Sequence, residues 1–269
     1  MRFKRFHIFS CLVIVLLIFS ACSQVPISGR RQLSFIPSDE INSMSFNSYK
    51  EFLASHKLSA VSGNTQMVKN VGNKIQKAVE QYFDRNNMSN RLEGYAWEFN
   101  LVQDDTVNAW CMPGGKVVVY TGILPLTRDA TGLAVVMGHE IAHAVANHGN
   151  ERMSQGLMVQ MGGVALSKAL EEKPEETRNL FLTSFGLGAQ VGVLLPYSRL
   201  HENEADHLGL IFMAMAGYDP RSAVDFWERM ASQKGGASTP EFLSTHPSDK
   251  VRIEKIKSVL PEALRYYKP

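Results

Sequence analysis

The sequence predicts an α+β fold, mostly helical, with a small sheet placed ahead of one strongly apolar helix. Three observations carry this. Long stretches after Pro125 repeat apolar residues at helical spacing, above all 129–148 and 199–216. Two short extended runs flank the turn Pro113-Gly114-Gly115. Apolar residues make up 45% and charged residues 20% of 269, which suits one globular domain with a sizeable core.

The elements follow in order. Met1 to His7 is basic, Ile8 to Ala21 is apolar, and Ser20-Ala21 are small residues before Cys22, the make-up of an export signal over residues 1–21. Phe19-Ser20-Ala21-Cys22 resembles the lipobox of bacterial lipoproteins, which implies cleavage before Cys22 and a lipid on that residue, hence a membrane partner. Residues 22–37, with Pro26, Gly29 and Pro37, read as the lipid-anchored tether, and 38–269 as the folded domain. With Ser23 next to the cysteine, the expected place is the cell envelope, facing the periplasm from an outer membrane. Cys11 leaves with the signal and Cys111 then stands alone beside the lipidated cysteine, so no internal disulfide is expected. Loss of Arg2, Lys4 and Arg5 turns the net charge from +2 to −1, and no nucleic-acid partner is expected.

Ser38-Asp39-Glu40 starts a first helix, with Ile41, Met44, Tyr49 and Phe52 behind it, and Asn64-Thr65 opens a second with Val68, Val71, Ile75, Val79 and Tyr82. Tyr95 to Val102 alternates as a strand does; Asn108 to Met112 and Lys116 to Tyr120 are two more extended pieces. A helix from Asp129 to His148 stops at Gly149. Leu180 to Leu195 lacks charge and ends at Pro196; at this length a buried core helix is expected, with a membrane-dipping hairpin as the alternative. Helices over 199–216, 221–232 and 250–260 complete the chain, with a loop at Gly235-Gly236.

The chemistry lies in His139-Glu140-Ile141-Ala142-His143. Histidines four apart on a helix emerge from one face, one turn apart, a spacing at which both can reach one zinc ion. Glu140 falls beside such a metal, where its carboxylate can take a proton from the attacking water. The apolar neighbours Val135, Val136, Ile141, Ala142 and Val145 place this helix inside the fold, and burying these polar side chains without a partner would be costly. A third ligand ten residues past His139 is ruled out, because that position is Gly149. His148 is wrongly spaced and reads as a cation near a helix C-terminus. Glu202-Asn203-Glu204-Ala205-Asp206 supplies the alternative. Glu202 and Asp206 share a face, so Glu202 can bind zinc while Asp206 accepts a hydrogen bond from the far nitrogen of a ligating histidine. Glu204 points roughly 200° away from Glu202 and reads as a solvated charge.

These motifs, with Ser198-Arg199 and with Thr245-His246-Pro247 and Arg252, resemble family forty-eight of the zinc metallopeptidases, gluzincins that include the CAAX prenyl endopeptidase, HtpX and BepA. Val25-Pro26-Ile27-Ser28-Gly29-Arg30-Arg31-Gln32-Leu33 looks like the start of its bacterial lipoprotein members. The resemblance implies a zincin-like metallopeptidase domain over 38–269 with one zinc per chain. It implies ligands His139, His143 and Glu202, base Glu140, and Asp206 behind a ligand. His246 and Arg252 approach the metal cleft in relatives, His246 either donating to the developing oxyanion or capping a resting zinc. Asn108-Ala109-Trp110 reads as an edge strand that could hold an extended peptide by main-chain hydrogen bonds, or as a plain internal strand. The expected activity is zinc-dependent endoproteolysis of unfolded or mis-assembled envelope proteins, with polypeptides as substrates and outer-membrane assembly machinery as a partner. The rival is a lipid-anchored chaperone with structural zinc.

Overall fold

A computed structural model of the chain describes residues 22–171, 175, 179, 182–183, 195–233, 240–247 and 250–268. The signal expected over 1–21, most of the segment expected as a core helix over 180–195, and the loop at Gly235-Gly236 lie outside the described residues. The chain divides into two compact units, residues 1–37 with 149–196, and residues 38–148 with 197–269.

In the first unit, the stretch read as a tether forms a short antiparallel pair, β1 (Cys22–Gln24) and β2 (Arg31–Leu33), in the register Cys22 to Leu33. The same unit holds most of helix α5 (His148–Ala169). Arg30 binds Glu151 with both guanidinium nitrogens at 2.8 and 2.7 Å. The Phe35 amide donates to Ser154 Oγ at 2.9 Å, and Asn150 Nδ2 donates to the Ile36 carbonyl at 2.7 Å. This docking uses polar residues with no periodic pattern.

The second unit opens with α1 (Ser38–Ser55) and α2 (Ser62–Arg85). Val68, Val71, Ile75, Val79 and Phe83 of α2 are fully buried, as their helical spacing demands. Strands β3 (Glu98–Val102), β4 (Ala109–Met112) and β5 (Lys116–Tyr120) form a sheet in the order β3-β5-β4. β5 is parallel to β3 and antiparallel to β4, and its Val117, Val118 and Val119 are buried on both faces. Gly114 and Gly115 make the β4–β5 turn at φ 79° and 84°, a region nearly closed to residues with a Cβ.

A short helix α3 (Leu124–Thr127) leads into α4 (Ala130–Val145). Asp129 caps α4 by accepting from the amides of Thr131 and Gly132 at 2.8 and 2.9 Å. The helix packs against α2 and β4 and is buried on nearly every side. It ends before the expected Gly149: Asn147 takes φ 59°, and α5 starts at His148. Asparagine tolerates the left-handed region and so terminates the helix in glycine's place.

The remaining helices are α6 (Leu195–Met215), α7 (Ser222–Ser232), α8 (Glu241–Thr245) and α9 (Lys250–Ala263). α6 crosses α4 where Gly209 meets Gly138. A Cβ on Gly209 would lie 2.9 Å from both Gly138 C and His139 N. Two glycines thus let these backbones touch, which sets the separation of the histidine and carboxylate motifs. Among the described residues, no helix is long and apolar enough to cross a membrane.

Candidate active site

His139 and His143 leave α4 on one face, and Glu202 leaves α6 opposite them. His139 Nε2 lies 3.1 Å from His143 Nε2 and 3.4 Å from Glu202 Oε2; His143 Nε2 lies 3.3 Å from Glu202 Oε1. His246, just after α8, brings Nδ1 to 3.2 Å from His139 Nε2 and 2.9 Å from Glu202 Oε1. One donor atom from each of these four residues lies within 4.8 Å of the others. Two tetrahedral ligands at zinc bond lengths of about 2.0–2.1 Å sit about 3.3–3.4 Å apart. The donor set, three imidazoles and a carboxylate at that spacing, therefore fits zinc.

Unfilled polar atoms point the same way. Glu202 Oε2 is buried without a hydrogen bond; Arg252 Nη1 lies 3.0 Å away, but off the hydrogen-bonding direction, so it offers charge attraction and leaves a lone pair open. Glu202 is nevertheless held well below the usual carboxylate range: burial opposes its charge, but contacts with His139, His143 and His246 outweigh it.

Asp206 Oδ1 accepts from His139 Nδ1 at 3.0 Å, which leaves the Nε2 lone pair of His139 facing the other donors. Arg252 in turn grips Asp206 with two hydrogen bonds of 2.8 Å, stacks its guanidinium 3.5 Å over the Trp227 ring, and donates to the carbonyls of His246 and Pro247 at 3.3 Å each. A single buried arginine thus ties the carboxylate behind one imidazole to the loop that delivers another.

Glu140 is 4% exposed, with Oε1 buried and not hydrogen-bonded; the nearest cationic candidate, His246 Nε2, is 3.4 Å away. Burial raises its pKa, with His246 and His139 pulling the other way, which suits a group that must gain and lose a proton. Trp227 and Phe242, with centroids 5.8 Å apart, stand beside His139 as an apolar wall.

The strand residues are placed at an edge: β4 pairs with β5 alone among the described strands. Asn108 donates from Nδ2 to Glu241 Oε1 at 3.1 Å, and the Phe242 amide donates to the Val107 carbonyl at 3.1 Å, so the segment carrying His246 is fastened to the start of that edge. Ala109 is buried and Trp110 packs edge-on against Tyr49 and Phe52.

Two residues read as bystanders are not. His148 and Glu204 are 2% and 7% exposed, and they line up behind His143. His148 fails the spacing expected of a ligand, and helical periodicity turns Glu204 away from Glu202. The helix break at Asn147 and burial of α6 on more than one side bring both inside. His148 stands one position past that break, which is a local signal, while nothing local marks Glu204.

Residues 70–260 match peptidase family M48, a stretch that contains every residue of this cluster. The chain belongs to that family. M48 enzymes are zinc-dependent metallopeptidases, and the chain is a metalloendopeptidase. The mitochondrial metalloendopeptidase OMA1 of Schizosaccharomyces pombe is 36% identical over 249 residues, covering 91% of this chain and 68% of that protein. The Saccharomyces cerevisiae protein of the same name is 35% identical over 207 residues, 74% of this chain and 57% of its own length. A beta-barrel assembly-enhancing protease of Yersinia pestis is 29% identical over 183 residues, 64% of this chain and 37% of that protein.

These M48 relatives overturn the expected location. Mitochondrial proteins match at higher identity and over more of the chain than the bacterial one, so a lipid-anchored, periplasm-facing place at an outer membrane does not stand. That expectation rested on residues 1–22, and a basic start followed by an apolar run is a chemistry shared by several targeting systems. Outer-membrane assembly machinery as a partner loses its support with it.

Proposed function

We propose that this M48 chain hydrolyses internal peptide bonds in unfolded or mis-assembled polypeptides, with His139, His143 and Glu202 holding the zinc and Glu140 as the base. The observation that carries it is the convergence of four metal-binding atoms from α4, α6 and the loop after α8 beside a buried carboxylate of raised pKa. When bound, zinc supplies Lewis-acid polarisation of the scissile carbonyl and of the attacking water. Glu140 takes a proton from that water as its oxygen bonds to the carbonyl carbon, then gives the proton to the leaving amine as the C–N bond breaks. Asp206 keeps His139 in its ligating tautomer, and Arg252 holds Asp206. Trp227 and Phe242 exclude water from that side.

The nearness of His246 to the other three donors supports the resting-cap role of the two it can play. His246 swings aside when a substrate carbonyl arrives, and its imidazole can then donate to the oxyanion. Asn108 and the β4 edge at Ala109 and Trp110 are proposed to hold the peptide. Main-chain pairing tolerates many sequences, which suits an unfolded substrate. The name of the Yersinia pestis relative, a protease that enhances assembly, agrees with a quality-control role. An envelope setting for the substrates is left aside with the location it depended on.

The test uses purified full chain: zinc content by metal analysis, and digestion of an unfolded protein such as casein with and without chelator. The Glu140→Gln variant is expected to keep its zinc and lose turnover by about 100-fold or more. Wild-type cleavage by that variant would remove Glu140 from the mechanism, and rescue of a folding defect by both forms equally would favour the chaperone.

A further inference from the structure

We propose that His148 and Glu204 form a hydrogen-bonded strut that holds the imidazole of His143 in the tautomer and orientation needed to bind metal. This deepens the reading of the active site and rests on His143 being a ligand. His143 Nδ1 lies 2.9 Å from His148 Nδ1, and His148 Nε2 lies 3.2 Å from Glu204 Oε2.

With His148 neutral, proton bookkeeping leaves one consistent assignment. Glu204, as a carboxylate, only accepts, so His148 carries its proton on Nε2 and donates it to Oε2. His148 Nδ1 is then a lone pair and must receive a proton from His143 Nδ1. That fixes the His143 lone pair on Nε2, the atom that faces His139 and Glu202 at 3.1 and 3.3 Å. Each α4 imidazole is thereby backed by a chain ending in a carboxylate: His139 directly by Asp206, His143 through one intervening ring.

Packing keeps the middle ring in place. His148 stacks on His201 at 4.4 Å between centroids with planes 16° apart, and both are 2% exposed. The strut spans two elements. His148 is placed by the Asn147 break, and Glu204 by the same α6 that presents Glu202. A shift of α6 therefore moves the carboxylate ligand and the support of His143 together, so both are set by one rigid element. His148 and Glu204 act through His143 and are positioning residues.

The experiment measures zinc affinity by competition with a chromophoric chelator and records the visible spectrum of the cobalt-substituted protein. The full-length wild type, His143→Ala, His148→Leu, His148→Gln and Glu204→Gln are compared, with denaturant midpoints of the metal-free chains. His148→Leu is expected to weaken zinc by about 10- to 100-fold and to shift the cobalt bands, and Glu204→Gln by about tenfold. His148→Gln is expected to return most of the loss, because its amide oxygen can accept from His143 and its NH2 can donate to Glu204. Unchanged affinity and spectra in His148→Leu and Glu204→Gln, with zinc lost in His143→Ala, would overturn the strut and spare the ligand set. Equal losses in His148→Leu and His148→Gln, matched by lower denaturant midpoints, would overturn it in favour of simple packing. Wild-type zinc binding by His143→Ala would overturn both. Should His148→Leu not fold, the two glutamine variants decide by the same criteria.

Discussion

Gly209→Ala probes the helix crossing on which the metal centre depends. The added methyl carbon would lie 2.9 Å from Gly138 C and His139 N and 3.0 Å from Gly138 O. Carbon contacts settle at about 3.5–4.0 Å, so α4 and α6 must part by about half an ångström or more. All three contacts are backbone, so no rotamer change relieves them. Overpacking of this kind costs about 1–3 kcal/mol in stability. Metal–ligand distances tolerate only about 0.2 Å, and His139 is itself one of the residues pushed. If the same strain falls on the metal-bound state, zinc affinity drops by about five- to 140-fold at 1.4 kcal/mol per tenfold. The assay pairs urea unfolding of the metal-free chain with chelator competition for zinc. Gly156→Ala is the control, since a Cβ there meets nothing within 4 Å, and alanine in a helix is neutral or better by up to about 1 kcal/mol. Wild-type zinc affinity together with an unchanged urea midpoint in Gly209→Ala would refute the claim that this crossing sets the ligand spacing.

Three further outcomes are expected. Arg252→Met leaves the Asp206 carboxylate buried without its guanidinium, and should destabilise the metal-free chain by about 3–5 kcal/mol; a change below about 1 kcal/mol in urea titration would show that Asp206 finds other compensation. In the metal-free chain burial opposes a charge on His139, but hydrogen bonds to Asp206 and Glu202 raise its pKa to about 9. Zinc must displace that proton, so affinity should strengthen by about tenfold per pH unit from this group as pH rises toward 9. The sign for folding is opposite: the proton's contribution to metal-free stability is full below the unfolded value near 6.5 and fades as pH rises through about 9; zinc titrations and urea midpoints between pH 6 and 9 measure both, and flat profiles would contradict the assignment. Asp129→Ala removes the cap that accepts from Thr131 and Gly132 and should cost about 1 kcal/mol in thermal unfolding, an equal Tm arguing that water replaces it.

The local pattern of the chain determined which pieces exist and which side chains leave one helix together. His139 and His143 share a face because 3.6 residues make a turn, and Glu202 and Asp206 do so for the same reason. The α2 core positions and the β4–β5 hairpin were legible because periodicity and turn glycines act over a few residues. What the tertiary structure decided is which helices touch, and how closely. The Gly138–Gly209 contact, the short α8 that fastens to the β4 edge, and the pairing of Arg30 with Glu151 join residues far apart in sequence, where no period links them. His148 and Glu204 show the limit most plainly. Each looks solvated on its own helix, and each is buried because a second element covers it. Burial of a polar side chain is a property of the neighbour as much as of the residue, and the neighbour is chosen by the fold.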